Sequence, residues 1–403
     1  MSESESSSMS LADALAYGQQ LLSTGEFDSA EEIYRQLFRV VPDHAEITHM
    51  LGLVLLNRNR LEEASVLMEK ALQINPGYLD ANVNLGNVYL KLHFNDRAES
   101  QYRNALKLNP NSIQALFGLA NILRISDRKD EAERCYRKIL TLDARHRAAN
   151  TNLVILLKQQ QREDEASLVS KSWLETDPEN ESAKMLYASV SGENIPDRAP
   201  DDYVRNMFDN SAADFDSHLE VLEYRAPQLA EDALKNWNAT KTGELTVLDA
   251  GCGTGLCGPF LKRVSASLTG VDLSSKMIAV AEKRNCYDML EVTELTDYLG
   301  RTQVQFDLIV CMDTFCYFGP LDKALKLTAD VLKRGGRVIF SLEELQSDSH
   351  SYSLHSGQRY NHTFDYTKRV IADSGLSIIS ISREVLRKEG KELVNGFLVV
   401  AKK

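Results

Sequence analysis

Thr246-Val-Leu-Asp-Ala-Gly-Cys-Gly-Thr-Gly-Leu-Cys-Gly258 decides how the second half of this chain folds. Val247 and Leu248 suit a buried parallel strand. Gly251, Gly253 and Gly255 let the backbone turn tightly and approach a ligand, and Phe260-Leu261 resume an apolar helix face. Further on, Leu268-Thr-Gly-Val-Asp272 is a second apolar strand that ends in a carboxylate. An acidic side chain there can accept hydrogen bonds from both ribose hydroxyls of a bound nucleoside. A dinucleotide would need a third glycine at the position occupied by Leu256, so the spacing disfavours NAD.

Asp249-Ala-Gly-Cys-Gly-Thr-Gly255 resembles motif I of the class I methyltransferases that depend on S-adenosylmethionine (SAM). The resemblance implies SAM as cofactor and a Rossmann-like seven-stranded domain. It also implies that Asp249 pairs with the ligand's ammonium group, directly or through water, while Gly251, Cys252 and Gly253 admit its methionine portion. By the same resemblance Met277 flanks the adenine, and Asp272 and Leu273 belong to the cofactor-binding set. After the third strand, in Val292-Thr-Glu294-Leu295, Glu294 stands where an Asp usually binds the base's amino group. Leu295 and Cys311 join the cofactor-binding set.

Strand and helix alternate from residue 245, which gives a parallel sheet. Strands are expected at 245–249, 267–271, 289–293, 306–311, 336–342, 376–382 and 395–401, which puts Asp249, Asp272, Glu294 and Asp313 at carboxyl ends around one crevice. Phe306–Tyr317 resembles the family's fourth strand and catalytic-edge loop, so Asp313 and Tyr317 are candidate bases. His362, closing Gly357-Gln-Arg-Tyr-Asn-His362, is a third, with Arg359 and Tyr360 on the substrate side. A histidine that only orders this polar loop (350–362) is the alternative. The lead-in with Phe215-Asp, His218-Leu and Tyr224-Arg-Ala-Pro227 is similar to that of bacterial TPR-fused methyltransferases. It makes Tyr224 and Arg225 cofactor candidates, or else a packed aromatic and an exposed cation.

The 403 residues suggest two or three domains, 43% hydrophobic and 26% charged. A formal charge of −12 argues against nonspecific nucleic-acid or anionic-membrane binding, because no excess of cations exists to displace counterions. Met1-Ser-Glu-Ser-Glu-Ser-Ser-Ser8 has neither a basic nor an apolar segment, so residues 1–10 read as a disordered tail and the location as cytoplasmic. Six cysteines without a C-x-x-C read as buried thiols, with no metal.

From residue 11 the chain repeats with a period of 34: Gly18, Gly52, Gly86, Ala120, Val154; Ala30, Ala64, Ala98, Ala132, Ala166; Pro42, Pro76, Pro110 and, past Ala144, Pro178. This register resembles the tetratricopeptide repeat (TPR), two antiparallel helices per unit. The α-solenoid is expected over 11–191, about five repeats plus a capping helix at 181–191, then a linker at 192–200 and the α/β methyltransferase domain at 201–403. Asn84, Asn87, Asn121 and Asn152 fall on first helices. Their amides can grip an extended protein or peptide, or can be solvated polar positions. Three functions fit: a methyltransferase whose array recruits a protein or peptide acceptor, a methyltransferase of small or carrier-bound metabolites, and a SAM-binding adaptor without turnover.

Overall fold

The computed structural model describes residues 10–403 apart from 236, 238–242, 348–349, 356 and 391. The expected tail therefore lies outside the described residues except for Ser10, whose hydroxyl caps the first helix by accepting from Asp13 N. The chain divides into two compact units, one ending at Thr176 and the other beginning at Asp177.

The first unit is a run of paired helices: α1 (Leu11–Ser23) and α2 (Phe27–Val40), α3 (Ala45–Asn57) and α4 (Leu61–Ile74), α5 (Leu79–Lys91) and α6 (Asn95–Leu108), α7 (Ile113–Ile125) and α8 (Lys129–Leu142), α9 (Arg147–Gln159) and α10 (Glu163–Thr176). Gly25, Asn59, His93, Asp127 and Gln161 turn each pair with a positive φ near 60–80°. These five positions keep the same register, which the sequence reading did not use. The small residues of the first helices make room for the second. A Cβ on Gly18 would lie 2.6 Å from the Tyr34 ring and one on Gly86 2.7 Å from that of Tyr102, so the helices could not pack this closely with larger side chains. The last pair exchanges the volumes: Val154 takes the small position and Ser170 the large one, both fully buried.

The second unit opens with α11 (Glu181–Ser191). Its first residue keeps the repeat's register, yet Met185 and Ala188 belong to the core of this unit together with Ala199, Tyr203 and Phe318. The division thus falls earlier than the boundary read at 191. Residues 197–199 are also hydrogen-bonded into this unit, where Ala199 N donates to Tyr317 O and Gly319 N to Asp197 O. A stretch rich in proline is held as structure because its free backbone groups pair with residues 317–319, at and just after a 3₁₀ turn.

After α12 (Asp201–Ser211), α13 (Phe215–Val221) and α14 (Ala226–Lys235) come β1 (Leu245–Ala250), α15 (Gly258–Val264), β2 (Ser265–Asp272), α16 (Ser275–Glu282), β3 (Met289–Val292), α17 (Leu295–Arg301) and β4 (Phe306–Cys311). A short 3₁₀ turn at Phe315–Tyr317 leads to α18 (Asp322–Val331), β5 (Leu332–Glu344), β6 (Tyr352–Leu354), β7 (Tyr360–His362), α19 (Phe364–Asp373), β8 (Ser377–Glu389) and β9 (Glu392–Lys402). The sheet order is β3-β2-β1-β4-β5-β7-β6, with β9 antiparallel to β5 and β8 to β9. All seven expected strands form. The expected loop at 350–362 differs: it contains the hairpin β6–β7, whose strands are too short for a period-of-two pattern to reveal.

Both faces of the central strands are covered, as parallel strands require. Leu248, Ile309, Val338 and Phe340 serve one core, and Val247, Leu308, Val310 and Ile339 the other. That double burial leaves only the strand ends for polar chemistry, and the carboxyl ends of β1, β2 and β4 carry Asp249, Asp272 and Asp313.

Candidate functional site

The glycine turn is fixed by β2: Gly251 N and Cys252 N both donate to Val271 O, at 2.9 Å each. Gly251 has φ +74°, and a Cβ there would collide with the Thr314 side chain. Gly253 has φ +55° with open space beside it, the bare backbone a ligand can approach. Its N–H donates 2.9 Å to Asp272 Oδ2, and Ser274 N donates 2.8 Å to Asp272 Oδ1. Burial raises the Asp272 pKa, and these backbone N–H groups work against that rise.

Asp249 accepts a 2.7 Å hydrogen bond from the Tyr287 hydroxyl. Burial pushes its carboxyl up to about 7, with the Tyr287 bond opposing and the Asp272 charge adding. Tyr287 was invisible in the motif. Its ring fills the space left by the missing Cβ atoms of Gly255, Gly258 and Gly270, where the nearest approaches would be 3.0, 3.0 and 2.9 Å. The glycines of the turn thus serve a packed tyrosine as well as a ligand.

A cavity of about 510 Å³ opens over these strand ends, in the range usual for small-molecule sites. Val204, Met207 and Phe208 of α12 and Phe215 and Leu219 of α13 roof it. The roof is fastened by carboxylates: Asp209 accepts from the Ser274 hydroxyl, and Asp216 accepts from the Thr254 hydroxyl and pairs with Arg284. Arg284 Nε also donates 2.6 Å to Thr254 O. The lead-in motif contains Asp216 without indicating this role, and no local pattern marks Asp209 or Arg284.

At the other end Asp313 sits in the left-handed region at φ +57°, a conformation costly for a non-glycine residue. Its N–H donates 2.8 Å to the Ser341 hydroxyl, which holds the kink. The carboxylate pairs with Arg359, whose Nε donates 2.6 Å to Glu343 and whose Nη1 donates 3.2 Å to the Tyr317 hydroxyl. Burial opposes the charge on Arg359, but Asp313 and Glu343 override it and hold the guanidinium protonated. Arg387, from β8, pairs at 2.9 Å with Glu343 and at 2.7 Å with Glu389. It too was absent from the sequence reading.

Of the expected site residues, Tyr224, Asp249, Gly251, Cys252, Gly253, Asp272, Leu273, Glu294, Leu295, Asp313, Tyr317 and Arg359 all line this one cavity. Five others do not. Arg225 is exposed and donates 3.2 Å to Val385 O. Met277 is buried on α16 and Cys311 inside β4, and neither lines the cavity. Tyr360 is buried with its hydroxyl donated 2.5 Å to Pro196 O, so it is not on an open groove. His362 is fully buried, stacked on Tyr366 at 5.8 Å, with Nε2 2.8 Å from Gly319 O. Burial pulls its pKa down to about 4, so it is a neutral packing histidine that no acceptor reaches, and the base reading is corrected. Glu294 lines the cavity, but its oxygens already cap α17 at Asp297 N (2.9 Å) and pair with Arg198 (2.9 Å).

In the first unit the four asparagines are half-buried. Asn87 accepts 2.6 Å from the Tyr102 hydroxyl, and Asn121 accepts 2.7 Å from that of Tyr136 and 3.1 Å from the Asn152 amide. Asn84 is bonded to His49 at 2.9 Å. Their carbonyls and amides join first helices to buried rings, a use within the array that the sequence reading did not foresee.

Comparison with known proteins agrees with both halves. Residues 12–78 and 83–146 match the family described as tetratricopeptide repeat, and residues 247–336 that described as methyltransferase domain. This chain joins TPR repeats to a methyltransferase domain. It is similar to a malonyl-[acyl-carrier protein] O-methyltransferase of Priestia megaterium, 32% identical over 34% of this chain and 50% of the relative. It is also similar to ubiquinone biosynthesis O-methyltransferases of Coxiella burnetii, 30% identical over 27% of this chain and 47% of the relative. The chain thus spans about half the length of these curated relatives. A magnesium protoporphyrin IX methyltransferase from Synechocystis, solved with bound SAH, is 18% identical with a TM-score of 0.39, covering 50% of this chain and 99% of that one.

The cofactor of the methyltransferase domain is SAM, and the residues present suit it. Asp249 is a buried carboxylate and Asp272 a half-buried one, neither has a cation partner among the described residues, and both line the cavity together with the open backbone at Gly253. No described helix is long and apolar enough to cross a membrane.

Proposed function

We propose that the protein transfers a methyl group from SAM to an oxygen acceptor carried by a protein or peptide that the repeats hold. The observation behind it is a buried and a half-buried carboxylate at neighbouring strand ends with no described cation beside either, since SAM is a cation bearing a ribose. Asp272, pre-oriented by two backbone N–H groups, takes the ribose hydroxyls. Asp249 takes the ammonium group, and Leu273 and Leu295 wall the adenine. The oxygen acceptor rests on the similarity to O-methyltransferases.

Bound SAM supplies a methyl group already activated on a sulfonium, so positioning carries much of the catalysis. The chain's own contribution is to exclude water beneath α12 and α13, to seat the acceptor beside Asp313 and Tyr317, and to take a proton at Asp313 when the nucleophile arrives protonated.

The roof favours a second form of the reading, in which the acceptor is a small or carrier-bound metabolite, because a cavity of about 510 Å³ under two helices is of small-molecule size. Incubation with methyl-labelled SAM and a fractionated cell extract separates the two. Label in a protein that fails to bind the chain once the repeats are removed supports recruitment, and label only in free metabolites supports the second form. Label in neither, with SAM bound, contradicts turnover.

A further inference from the structure

We propose that the methylated group is a phenolic or enolic hydroxyl, seated between the Asp313 carboxylate and Nη1 of Arg387. This rests on the methyltransferase reading and names its acceptor. Arg387 is 6% exposed, and its other two nitrogens are committed: Nε to Glu389 at 2.9 Å, and Nη2 to Glu389 and Glu343 at 2.7 and 2.9 Å. Nη1 is buried and has no hydrogen-bond partner, although the residue lines the cavity. A buried guanidinium N–H without an acceptor is costly, and a ligand atom that meets it removes that cost.

Nη1 lies 3.8 Å from Asp313 Oδ1, beyond hydrogen-bonding distance. An oxygen about 2.8 Å from each would bridge them. That oxygen must accept from Nη1 and donate to the carboxylate, and a hydroxyl does both. Other acceptors fit worse. Asp313, Glu343 and Glu389 against Arg359 and Arg387 make three carboxylates to two guanidiniums, so the cluster already carries an excess negative charge and repels a carboxylate. An ammonium has no lone pair to offer Arg387.

Acidity narrows the hydroxyl. A carboxylate is a weak base, so among hydroxyls it takes the proton more easily from a phenol or enol, pKa about 10, than from the far less acidic alcohols. The guanidinium then stabilises the developing oxyanion. The walls suit an aromatic ring: Phe208 lies edge-to-face with Phe215 at 5.8 Å and with Tyr317 at 5.7 Å, and Tyr224 lines the same space. In the step, the hydroxyl proton goes to Asp313 and the oxygen lone pair forms the O–CH₃ bond. The S–CH₃ bond breaks with its electron pair left on sulfur, giving the neutral thioether S-adenosylhomocysteine (SAH), and Asp313 then releases its proton to solvent.

The test uses the full-length protein saturated with SAH and titrates in 4-propylphenol, 4-propylbenzoate and 4-propylbenzylamine by calorimetry. The phenol should bind at least tenfold tighter than either of the others, and Arg387→Lys, which keeps a cation beside Glu343 but removes Nη1, should erase that preference while SAH still binds. A tighter benzoate, no preference for the phenol, or an unchanged preference in Arg387→Lys would overturn the proposal. Where that variant does not fold, the preference of the wild-type protein decides alone. Failure of SAH itself to bind would instead overturn the methyltransferase reading beneath it.

Discussion

The two ends of the cavity handle buried charge in opposite ways. At the cofactor end, Asp249 and Asp272 are held by a tyrosine hydroxyl and by backbone N–H groups, and no described cation stands beside either. At the acceptor end every carboxylate is paired: Asp313 and Glu343 with Arg359, Glu343 and Glu389 with Arg387. An unpaired buried carboxylate is a site that waits for a cation, and one already salt-bridged to arginine has no such need. The cavity therefore asks for a positive ligand at one end and a neutral one at the other, which is the arrangement methyl transfer from a sulfonium to a hydroxyl needs.

The comparison is broken most directly at the acceptor end. Asp313→Asn should lower turnover by about 10²–10⁴-fold if its carboxylate takes the acceptor's proton, with SAM affinity unchanged. Steady-state rates beside calorimetry check it, and equal loss of both would make Asp313 structural. At the cofactor end Asp272→Ala should weaken SAM by about 10–150-fold through loss of charge-assisted hydrogen bonds, read by the same titration.

Asp249 gives a prediction of opposite sign. Its carboxyl titrates near 7 in the fold against 3.8 as a model group. Below the lower value both states are protonated. Between the two the folded state keeps a proton that the unfolded state has released, so this group's effect on stability worsens as pH rises and is complete above 7. Asp249→Asn should accordingly stabilise the cofactor-free protein at pH 8, by about 1–4 kcal/mol in denaturant unfolding, and the gain should vanish near pH 4. The smallest effect belongs to the repeats. Replacing Asn87 and Asn121 together by Ala strands two tyrosine hydroxyls and should cost about 1–3 kcal/mol of the first unit's stability while leaving SAM affinity unchanged.

The repeats were legible because one period governs them, down to the first residues of all five helix pairs. Register alone did not reveal that α11, though in phase, packs its Met185 and Ala188 into the other core. In the catalytic unit the cofactor end was legible because a glycine turn and a strand-end acid must lie close in sequence to their strands. Tyr287, Asp209 and Arg387 were not, since each reaches the site from a distant segment and carries no local pattern. His362 misled for a related reason: its position in a polar stretch suggested an open loop, and the hairpin β6–β7 buries it.

The central claim is that a cationic cofactor charges a carboxyl the empty protein keeps partly protonated. Calorimetric titration of the full-length protein with SAM at pH 6, 7 and 8, in two buffers of different ionisation enthalpy, counts the protons exchanged. Because the Asp249 carboxyl titrates near 7 and the ligand's ammonium, pKa about 8, favours its charged form, SAM should bind about fivefold more tightly at pH 7 than at pH 6, level off towards pH 8, and release a proton at the lowest pH. Affinity independent of pH with no proton released, or tight binding of NAD with none of SAM, would contradict it.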